Sequence, residues 1–162
     1  MLILREFEQS DRNRIVAILN CPEVTELLSS RIPLPYTVAD ADWWLETGCK
    51  QGLIRAIEID GELAGCIGVE PGQHEYAFTG EVGYWLAKEY WHQGHATEAL
   101  KQLLALIPPE TFVRLQATVF DRNTPSCKVL EKCGFKLEAN LEKALYKNGS
   151  FYNALLYGKL VS

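Results

Sequence analysis

The first third of the chain alternates between strand-like and helix-like spacing of its apolar residues. The short apolar run that opens Leu2–Phe7 predicts a strand, and an apolar stripe within Ser10–Asn20 predicts a helix that Ser10 or Asp11 could cap. A second short helix is predicted over Cys21–Ser30. Arg31–Tyr36 must be extended, because each of its two prolines disfavours helix in the residue before it. These patterns predict one strand and two helices before the first proline-rich segment.

The rest of the chain is divided by turn signals and helix caps. Thr37 and Asp40 are spaced as a capping box at the start of a third helix. The remaining predicted elements, in chain order, are strands at Leu53–Ile59, Leu63–Glu70 and Glu81–Ala87, a helix at Ala96–Ile107, a strand at Val113–Phe120, a helix from Asn123 to Cys133-Gly134, and two strands flanking Asn148-Gly149.

This order of elements predicts a fold class. The three consecutive strands between residues 53 and 87 are joined by short connections, which favours antiparallel pairing. The later strand–helix–strand unit favours a parallel pair with a right-handed crossover. We therefore expect an α+β (α/β three-layer) fold with a mixed, mostly antiparallel central sheet of about seven strands and helices on both faces, forming a single domain over residues 1–162.

Composition narrows the class of protein. The 162 residues suit one domain with a full core, and 48% hydrophobic with 23% charged residues is typical of a soluble globular protein. No apolar run reaches membrane-spanning length, so no membrane partner is expected. Met1–Arg5 lacks the basic start and long apolar stretch of a signal peptide, which predicts a cytoplasmic location.

Cysteine spacing and charge exclude further classes. The five cysteines include no close pair such as Cys-x-x-Cys, which argues against a zinc site and a disulfide framework, and no metal is expected. The net charge of −5 argues against nucleic acid as the main ligand. It is compatible with a cationic amine substrate, although a small negative charge also simply aids solubility.

A glycine-bearing turn links the strand at Glu81–Ala87 to the helix at Ala96–Ile107. The first N–H groups of a helix lack internal partners and favour an anion, and the small residues Gly94 and Ala96 let a phosphate approach the backbone. The segment lacks the other glycines of a dinucleotide fingerprint and the Gly-Lys-Ser/Thr of a P-loop. The turn is thus either a phosphate site or a tight strand-to-helix turn that needed a glycine.

Several ordered motifs carry a family resemblance across nearly the whole chain. They are Ile32–Thr37, Glu81–Leu86, Tyr90–Ala99, Asn123–Ser126, Leu130–Phe135 and Tyr146–Tyr152. Together they resemble the GCN5-related N-acetyltransferases (the GNAT superfamily), and among these the Rim-type branch, which includes enzymes that acetylate the N-termini of ribosomal proteins.

The resemblance implies acetyl-CoA as co-substrate and assigns residues to it. It implies that backbone groups of Tyr84, Trp85 and Leu86 pair with the pantetheine arm. Asn123 could bond the same arm or cap the helix that follows, and both roles can hold at once. The pyrophosphate would lie on N–H groups of Gln93, Gly94, His95, Ala96 and Thr97. Two positions depart from the superfamily pattern: Trp91 replaces a frequent Gln or Arg, as is common in the Rim-type branch, and Leu130 replaces the tyrosine that often acts as general acid.

Acyl transfer to an amine also needs groups that move protons. Glu81 is the candidate base, with an exposed strand-end charge as the alternative, and His74 and Glu75 are further proton acceptors. Ser126 is the candidate donor to the leaving thiolate or an ordinary first-turn serine. Cys127 has no evident partner histidine and is not assigned as a nucleophile.

An acceptor pocket is predicted from aromatic residues of the first third of the chain. Tyr36 and Trp43, with Trp44 beside them, could line it, whereas core packing is the alternative for at least one tryptophan. The predicted function is acetyl-CoA-dependent N-acetylation of a primary amine, with a protein N-terminal α-amine as the suggested acceptor, by direct attack in a ternary complex.

Three alternatives remain open: a small-molecule acceptor (polyamine, amino acid or antibiotic), a coenzyme-binding sensor without turnover, and a nucleotide-binding regulator. A homodimer is compatible with the resemblance, and nothing in the sequence establishes it.

Overall fold

The computed structural model describes residues Met1–Val161. The strands are β1 (Leu2–Arg5), β2 (Leu53–Ile59), β3 (Glu62–Pro71), β4 (Thr79–Leu86), β5 (Arg114–Phe120), β6 (Lys136–Lys147) and β7 (Ser150–Leu160). The α-helices are α1 (Arg12–Leu19), α2 (Pro22–Thr25), α3 (Val38–Glu46), α4 (His95–Leu106) and α5 (Thr124–Lys132).

All seven strands belong to one mixed sheet, in the order β1-β2-β3-β4-β5-β7-β6. The pairs β1–β2, β2–β3, β5–β7 and β6–β7 are antiparallel, whereas β4 and β5 are parallel. The parallel pair is the strand–helix–strand unit that contains α4, as its long connection requires. The predicted mixed, mostly antiparallel sheet of about seven strands is confirmed.

Residue contacts divide the chain into two compact units. Unit 1 comprises Met1–Glu70 and Gly83–Leu106, and unit 2 comprises Pro71–Val82 and the described residues from Ile107 onward. The core of unit 1 is formed by apolar side chains of α1, α3, β2, β3 and β4, among them Ile15, Leu45, Ile54, Cys66 and Trp85. In unit 2 the buried residues include Leu115, Ala117, Val119, Leu130 and Tyr157. A single domain over residues 1–162 stays a prediction.

Both predicted hairpin turns are present, and the backbone shows why their residues are suited to them. Asp60 and Gly61 have φ values of 50° and 88°, and Asn148 and Gly149 have 51° and 80°. Two successive positive φ values define the type I′ turn, whose twist matches that of the flanking strands, and Asx-Gly pairs adopt it most readily. The turns therefore fix the registers of β2 with β3 and of β6 with β7.

The caps predicted at the start of α3 and the end of α5 form, whereas Asp11 precedes α1 without a side-chain hydrogen bond to that helix, so the cap predicted there is wrong. The Thr37 hydroxyl accepts a hydrogen bond from the Asp40 N–H at 3.2 Å, and the Asp40 carboxylate accepts one from the Thr37 N–H at 2.8 Å. At the end of α5, Gly134 has a φ of 89°, and the Phe135 N–H donates to the Leu130 carbonyl at 3.0 Å. Capping box and glycine stop thus set the start of α3 and the end of α5.

The predicted helix over Cys21–Ser30 is wrong in length, since α2 covers only Pro22–Thr25. The Ser29 hydroxyl accepts a hydrogen bond from the Arg31 N–H at 3.1 Å, and the Ser29 carbonyl accepts one from the Ile32 N–H at 3.1 Å. Serine that bonds its neighbours' backbone in this way offers the chain a turn in place of a continued helix.

A buried carboxylate joins β1 to the start of α1 in unit 1. Asp11 is 4% exposed and accepts two hydrogen bonds of 2.9 Å from the Arg5 guanidinium, together with one of 2.8 Å from the Glu8 N–H. These donors hold the pKa of Asp11 below its usual value against the opposing effect of burial. Arg5 also pairs with Glu58 on β2, so one guanidinium ties three segments together.

We expect Asp11→Ala to lower the free energy of unfolding by about 3 kcal/mol, because it leaves the Arg5 charge without its main partner. The matched control is Asp42→Ala, which breaks an equally bidentate but exposed pair with Arg12 and should cost about 0–1 kcal/mol. Because the folded pKa of Asp11 is depressed, its contribution is complete above the unfolded pKa and is lost as pH falls through the folded value. Urea unfolding at pH 7 and pH 3 measures both effects, and equal losses in the two variants would contradict the assignment.

Candidate active site

In unit 1, the turn between β4 and α4 is held by side-chain hydrogen bonds to the preceding backbone. The Trp91 indole N–H donates to the carbonyl of Leu86, the last residue of β4, at 2.8 Å. The Gln93 side-chain amide donates to the Glu89 carbonyl at 3.0 Å. The turn is therefore fixed relative to the end of its own strand.

The backbone of this turn is open and offers N–H donors. Gly94 has a φ of 80°, and a Cβ added there would meet nothing within 4 Å. The first bond of α4 runs from the Glu98 N–H to the Gly94 carbonyl at 3.1 Å, so the N–H groups of His95 and Ala96 have no acceptor inside the helix. Thr97 follows in the same first turn and makes an interaction of its own. The arrangement has the donors, the dipole and the space of an anion site.

The second half of β4 leads into this turn. A Cβ added at Gly83 would also meet nothing within 4 Å, whereas one at Gly65 on β3 would come within 2.3 Å of the Trp85 carbonyl oxygen. Trp85 and Leu86 are buried, and Tyr84 is half-buried. In β4, the Trp85–Leu86 end therefore packs closely against β3, whereas the space beside Gly83 is open.

In unit 2, Glu81 lies on β4 directly opposite Gln116 of β5. Its carboxylate accepts hydrogen bonds from the Gln116 side chain and from both the N–H and the hydroxyl of Thr118. Glu81 is exposed as a residue of β4, as the strand-end alternative expected, but its neighbours partly desolvate the carboxyl. This desolvation raises the pKa of Glu81 above its ordinary value, and these donors and the Arg114 charge oppose that rise without cancelling it. A carboxylate with a raised pKa is a stronger proton acceptor than an ordinary surface carboxylate.

A line of polar side chains continues from Glu81 across unit 2. The Arg114 Nε–H donates to the Gln116 side-chain oxygen at 3.1 Å. The other nitrogens of Arg114 form a bidentate pair with Glu138 on β6, at 2.9 Å and 2.7 Å. The sequence did not predict the roles of these residues. The alternation of Arg114 and Gln116 with the buried Leu115, Ala117 and Val119 indicated only that the two share the polar face of β5.

The start of α5 places Asn123, Ser126 and Cys127 within one turn. The Asn123 side chain accepts a hydrogen bond from the Ser126 N–H at 3.4 Å, which confirms its role as a helix cap. Ser126 is half-buried. Cys127 is buried and hydrogen-bonded to Tyr157, and burial raises the pKa of that tyrosine.

The remaining candidates differ in exposure. His74 and Glu75 lie in an exposed 3₁₀ turn before β4. Tyr36 is 7% exposed, and its hydroxyl donates to the Asp40 carbonyl, so its ring belongs to the core of unit 1. Trp43 is 52% exposed and offers a ring face to solvent. Of the two aromatic residues predicted to line an acceptor site, only Trp43 is accessible to solvent.

Other structural features delimit the chemistry. A cavity of about 300 Å³ in unit 1 contains no predicted site residue and is lined by Glu6, Phe7, Glu8, Gln9, Leu45, Cys49, Lys50, Ile54 and Arg55. Within Met1–Val161, no three His, Cys, Asp or Glu side chains are grouped so that they could hold a metal ion. The helices in this part of the chain are too short or too polar to cross a membrane.

Comparison with known sequences places most of the chain in one family. Residues 1–136 match the family described as the acetyltransferase (GNAT) domain. The uncharacterised N-acetyltransferase YoaA of Bacillus subtilis (strain 168) is 29% identical over 96% of this chain and 91% of its own length. The L-amino acid N-acetyltransferase AaaT of Escherichia coli (strain K12) is 24% identical over 94% of each chain.

Solved structures share the fold over almost the full length. An N-acetyltransferase from Staphylococcus aureus Mu50 superposes with a TM-score of 0.84 at 21% identity, covering 99% of this chain and 98% of that one. The microcin C7 self-immunity acetyltransferase MccE, solved with acetyl-CoA and AMP, gives 0.82 at 21% identity and covers 99% and 92%. The ribosomal L7/L12 α-N-protein acetyltransferase RimL, solved with coenzyme A, gives 0.84 at 18% identity and covers 99% and 94%. The predicted fold class is confirmed.

Proposed function

Because this chain belongs to the GNAT acetyltransferase family, we propose that it transfers the acetyl group of acetyl-CoA to a primary α-amine by direct attack in a ternary complex. Family membership makes it an N-acetyltransferase, the class of enzyme that its sequence predicts. The observation that carries the proposal is the open turn at Gly94, where a twelve-residue helix begins and the N–H groups of His95 and Ala96 have no acceptor inside that helix. Anionic phosphate is the ligand for which such a turn is suited.

The residues of the turn fit a coenzyme with a pyrophosphate. We assign the pyrophosphate to N–H groups of the Gln93–Thr97 segment, where Gly94 leaves space for close approach. The pantetheine arm is assigned to the backbone of Tyr84–Leu86, which follows the open position at Gly83, and to the side chain of Asn123. MccE, solved with acetyl-CoA, and RimL, solved with coenzyme A, share this fold, which supports a coenzyme of this kind as the ligand.

Glu81 is proposed as the base that accepts the proton of the acceptor amine, directly or through water. A lysine-like amine has a reference pKa near 10.4 and an N-terminal α-amine near 7.8, so holding the amine neutral at pH 7 costs roughly 4–5 kcal/mol in the first case and about 1 kcal/mol in the second. A carboxyl whose pKa is raised by burial assists the easier deprotonation better than the harder one. This difference favours the N-terminal α-amine of a peptide as acceptor.

The leaving group needs less help. A thiol with a reference pKa near 8.5 departs readily as thiolate, and Ser126 is proposed to donate a hydrogen bond or proton to it. Leu130 is buried and has no proton to give, so it cannot replace a tyrosine acid. The tetrahedral oxyanion is assigned to a backbone N–H of β4 near Leu86.

Two acceptors present an α-amine and remain as candidates. A protein N-terminus is the first, because the sequence motifs resemble the Rim-type branch and RimL shares the fold. A free L-amino acid is the second, because AaaT, named for that substrate, aligns with 94% of this chain. Trp43 is proposed as the ring that packs against the acceptor side chain in either case, since it is exposed.

We expect Gly94→Ala to weaken acetyl-CoA binding about tenfold or more, because the added Cβ occupies the space proposed for the pyrophosphate and disfavours the positive φ. Gly61→Ala is the matched control, since Gly61 also has a positive φ and nothing within 4 Å of an added Cβ. Calorimetric titration with acetyl-CoA measures both. Equal affinity in the two variants would remove the turn from the coenzyme site.

Glu81→Gln should lower kcat by about 100-fold or more with little change in acetyl-CoA affinity, because it removes the proton acceptor and leaves the phosphate turn intact. Glu75→Gln, in the exposed turn before β4, is the control and should be nearly silent. The measurement is thiol release at saturating amine. Full turnover by Glu81→Gln would exclude Glu81 as base, and loss of turnover in Glu75→Gln would direct attention to that turn.

The acceptor class is tested by incubating the protein and acetyl-CoA with peptides carrying free N-termini, L-amino acids, polyamines and aminoglycosides, with mass detection of products. We expect acetylation of peptide N-termini at rates at least tenfold above those of polyamines, following the pKa difference. A preference for polyamines would contradict the acceptor assignment. Binding of acetyl-CoA without thiol release for any amine would instead favour a coenzyme sensor.

A further inference from the structure

We propose that Arg114 and Gln116 are positioning residues that orient the Glu81 carboxylate and keep it ionised, with Glu138 and Gly158 holding Arg114 in place. The functional consequence rests on the proposed role of Glu81 as base, whereas the structural part concerns unit 2 alone. The residues of this positioning network lie on four strands of the sheet, β4, β5, β6 and β7.

The amide of Gln116 is directed by its neighbour. Its side-chain oxygen accepts the Arg114 Nε–H at 3.1 Å, so the remaining group that it can turn toward Glu81 is the NH₂ donor. A glutamine without that neighbour could present either end of its amide to the carboxyl, and its oxygen would favour a protonated glutamic acid. Arg114 therefore selects the amide orientation that stabilises the ionised carboxylate.

The guanidinium of Arg114 is itself fixed across the neighbouring strand. It forms its bidentate pair with Glu138 of β6, although β7 lies between β5 and β6 in the sheet. Gly158 of β7 makes this reach feasible, because a Cβ there would come within 2.5 Å of the Glu138 carboxylate and 2.7 Å of the guanidinium. The Arg114–Glu138 pair thus crosses β7 at Gly158, the one residue of that strand without a side chain.

These contacts favour the ionised form of Glu81 and oppose the partial desolvation of its carboxyl. Partial burial favours the neutral acid, whereas three donors and one cation favour the carboxylate. The donors are Gln116 and the two groups of Thr118 on β5, the cation is Arg114, and Glu138 partly neutralises that cation from β6. The pKa of Glu81 is still raised, so loss of one favourable partner should raise it further.

The test uses Gln116→Met, which keeps the length of the side chain and removes its donor. We expect the Glu81 carboxyl, followed by carbon NMR and assigned with Glu81→Gln, to titrate about one pH unit higher. The acid limb of the kcat/KM profile for the amine should move upward by the same amount, with KM for acetyl-CoA unchanged. Gln102→Met, which removes another partly buried glutamine donor from α4, should move neither quantity.

Gly158→Ala provides a second variant that leaves all four polar residues in the sequence. It should displace the Arg114–Glu138 pair and shift the Glu81 titration in the same direction by a smaller amount, and it replaces Gln116→Met if that variant does not fold. An unchanged NMR midpoint in the folded variant would overturn the proposal. A shifted midpoint with an unchanged acid limb would uphold the positioning chain and remove Glu81 from the role of base.

Discussion

The parallel register of β4 against β5 is the constraint on which the candidate chemistry depends. It pairs Thr79, Gly80 and Glu81 with the first three residues of β5, and it thereby sets Glu81 opposite Gln116. Because neighbouring residues in register share a face, the carboxyl receives the donors of β5 and the field of Arg114. A shift of one residue would turn Glu81 to the other face, toward the side of the buried Leu115 and Ala117.

Local signals in the sequence predicted most of the elements. Asp60-Gly61 and Asn148-Gly149 each form the expected turn, and Thr37 with Asp40 caps α3, because turns and caps are determined by a few adjacent residues. The length of α2 was mispredicted because its end also depends on a local contact. Ser29 hydrogen-bonds its neighbours' backbone, and the spacing of apolar residues gives no signal of this. The N-acetyltransferase class, also predicted, follows from family membership.

The contacts around Glu81 could not be predicted in the same way. Arg114, Gln116 and Glu138 come together only through the registers of four strands, and a single sequence carries no signal for register between segments far apart in the chain. The roles assigned to Glu81, Ser126 and the coenzyme-contacting residues stay predictions, as do the homodimer and the cytoplasmic location. The interpretation of the β4–α4 turn as an anion site is compatible with its geometry, since backbone N–H donors and free space occur together at Gly94.

Gly158 has implications for how this sheet can change over time. Arg114, Glu138 and Gly158 lie on three different strands, and each depends on the other two for the ion pair to form. Drift at any of the three positions removes the reason for keeping the other two, so they should be inherited together or lost together. The glycine at position 158 would then be under selection as strict as that on Arg114 or Glu138. A side chain gained there would change the environment of Glu81, two strands away.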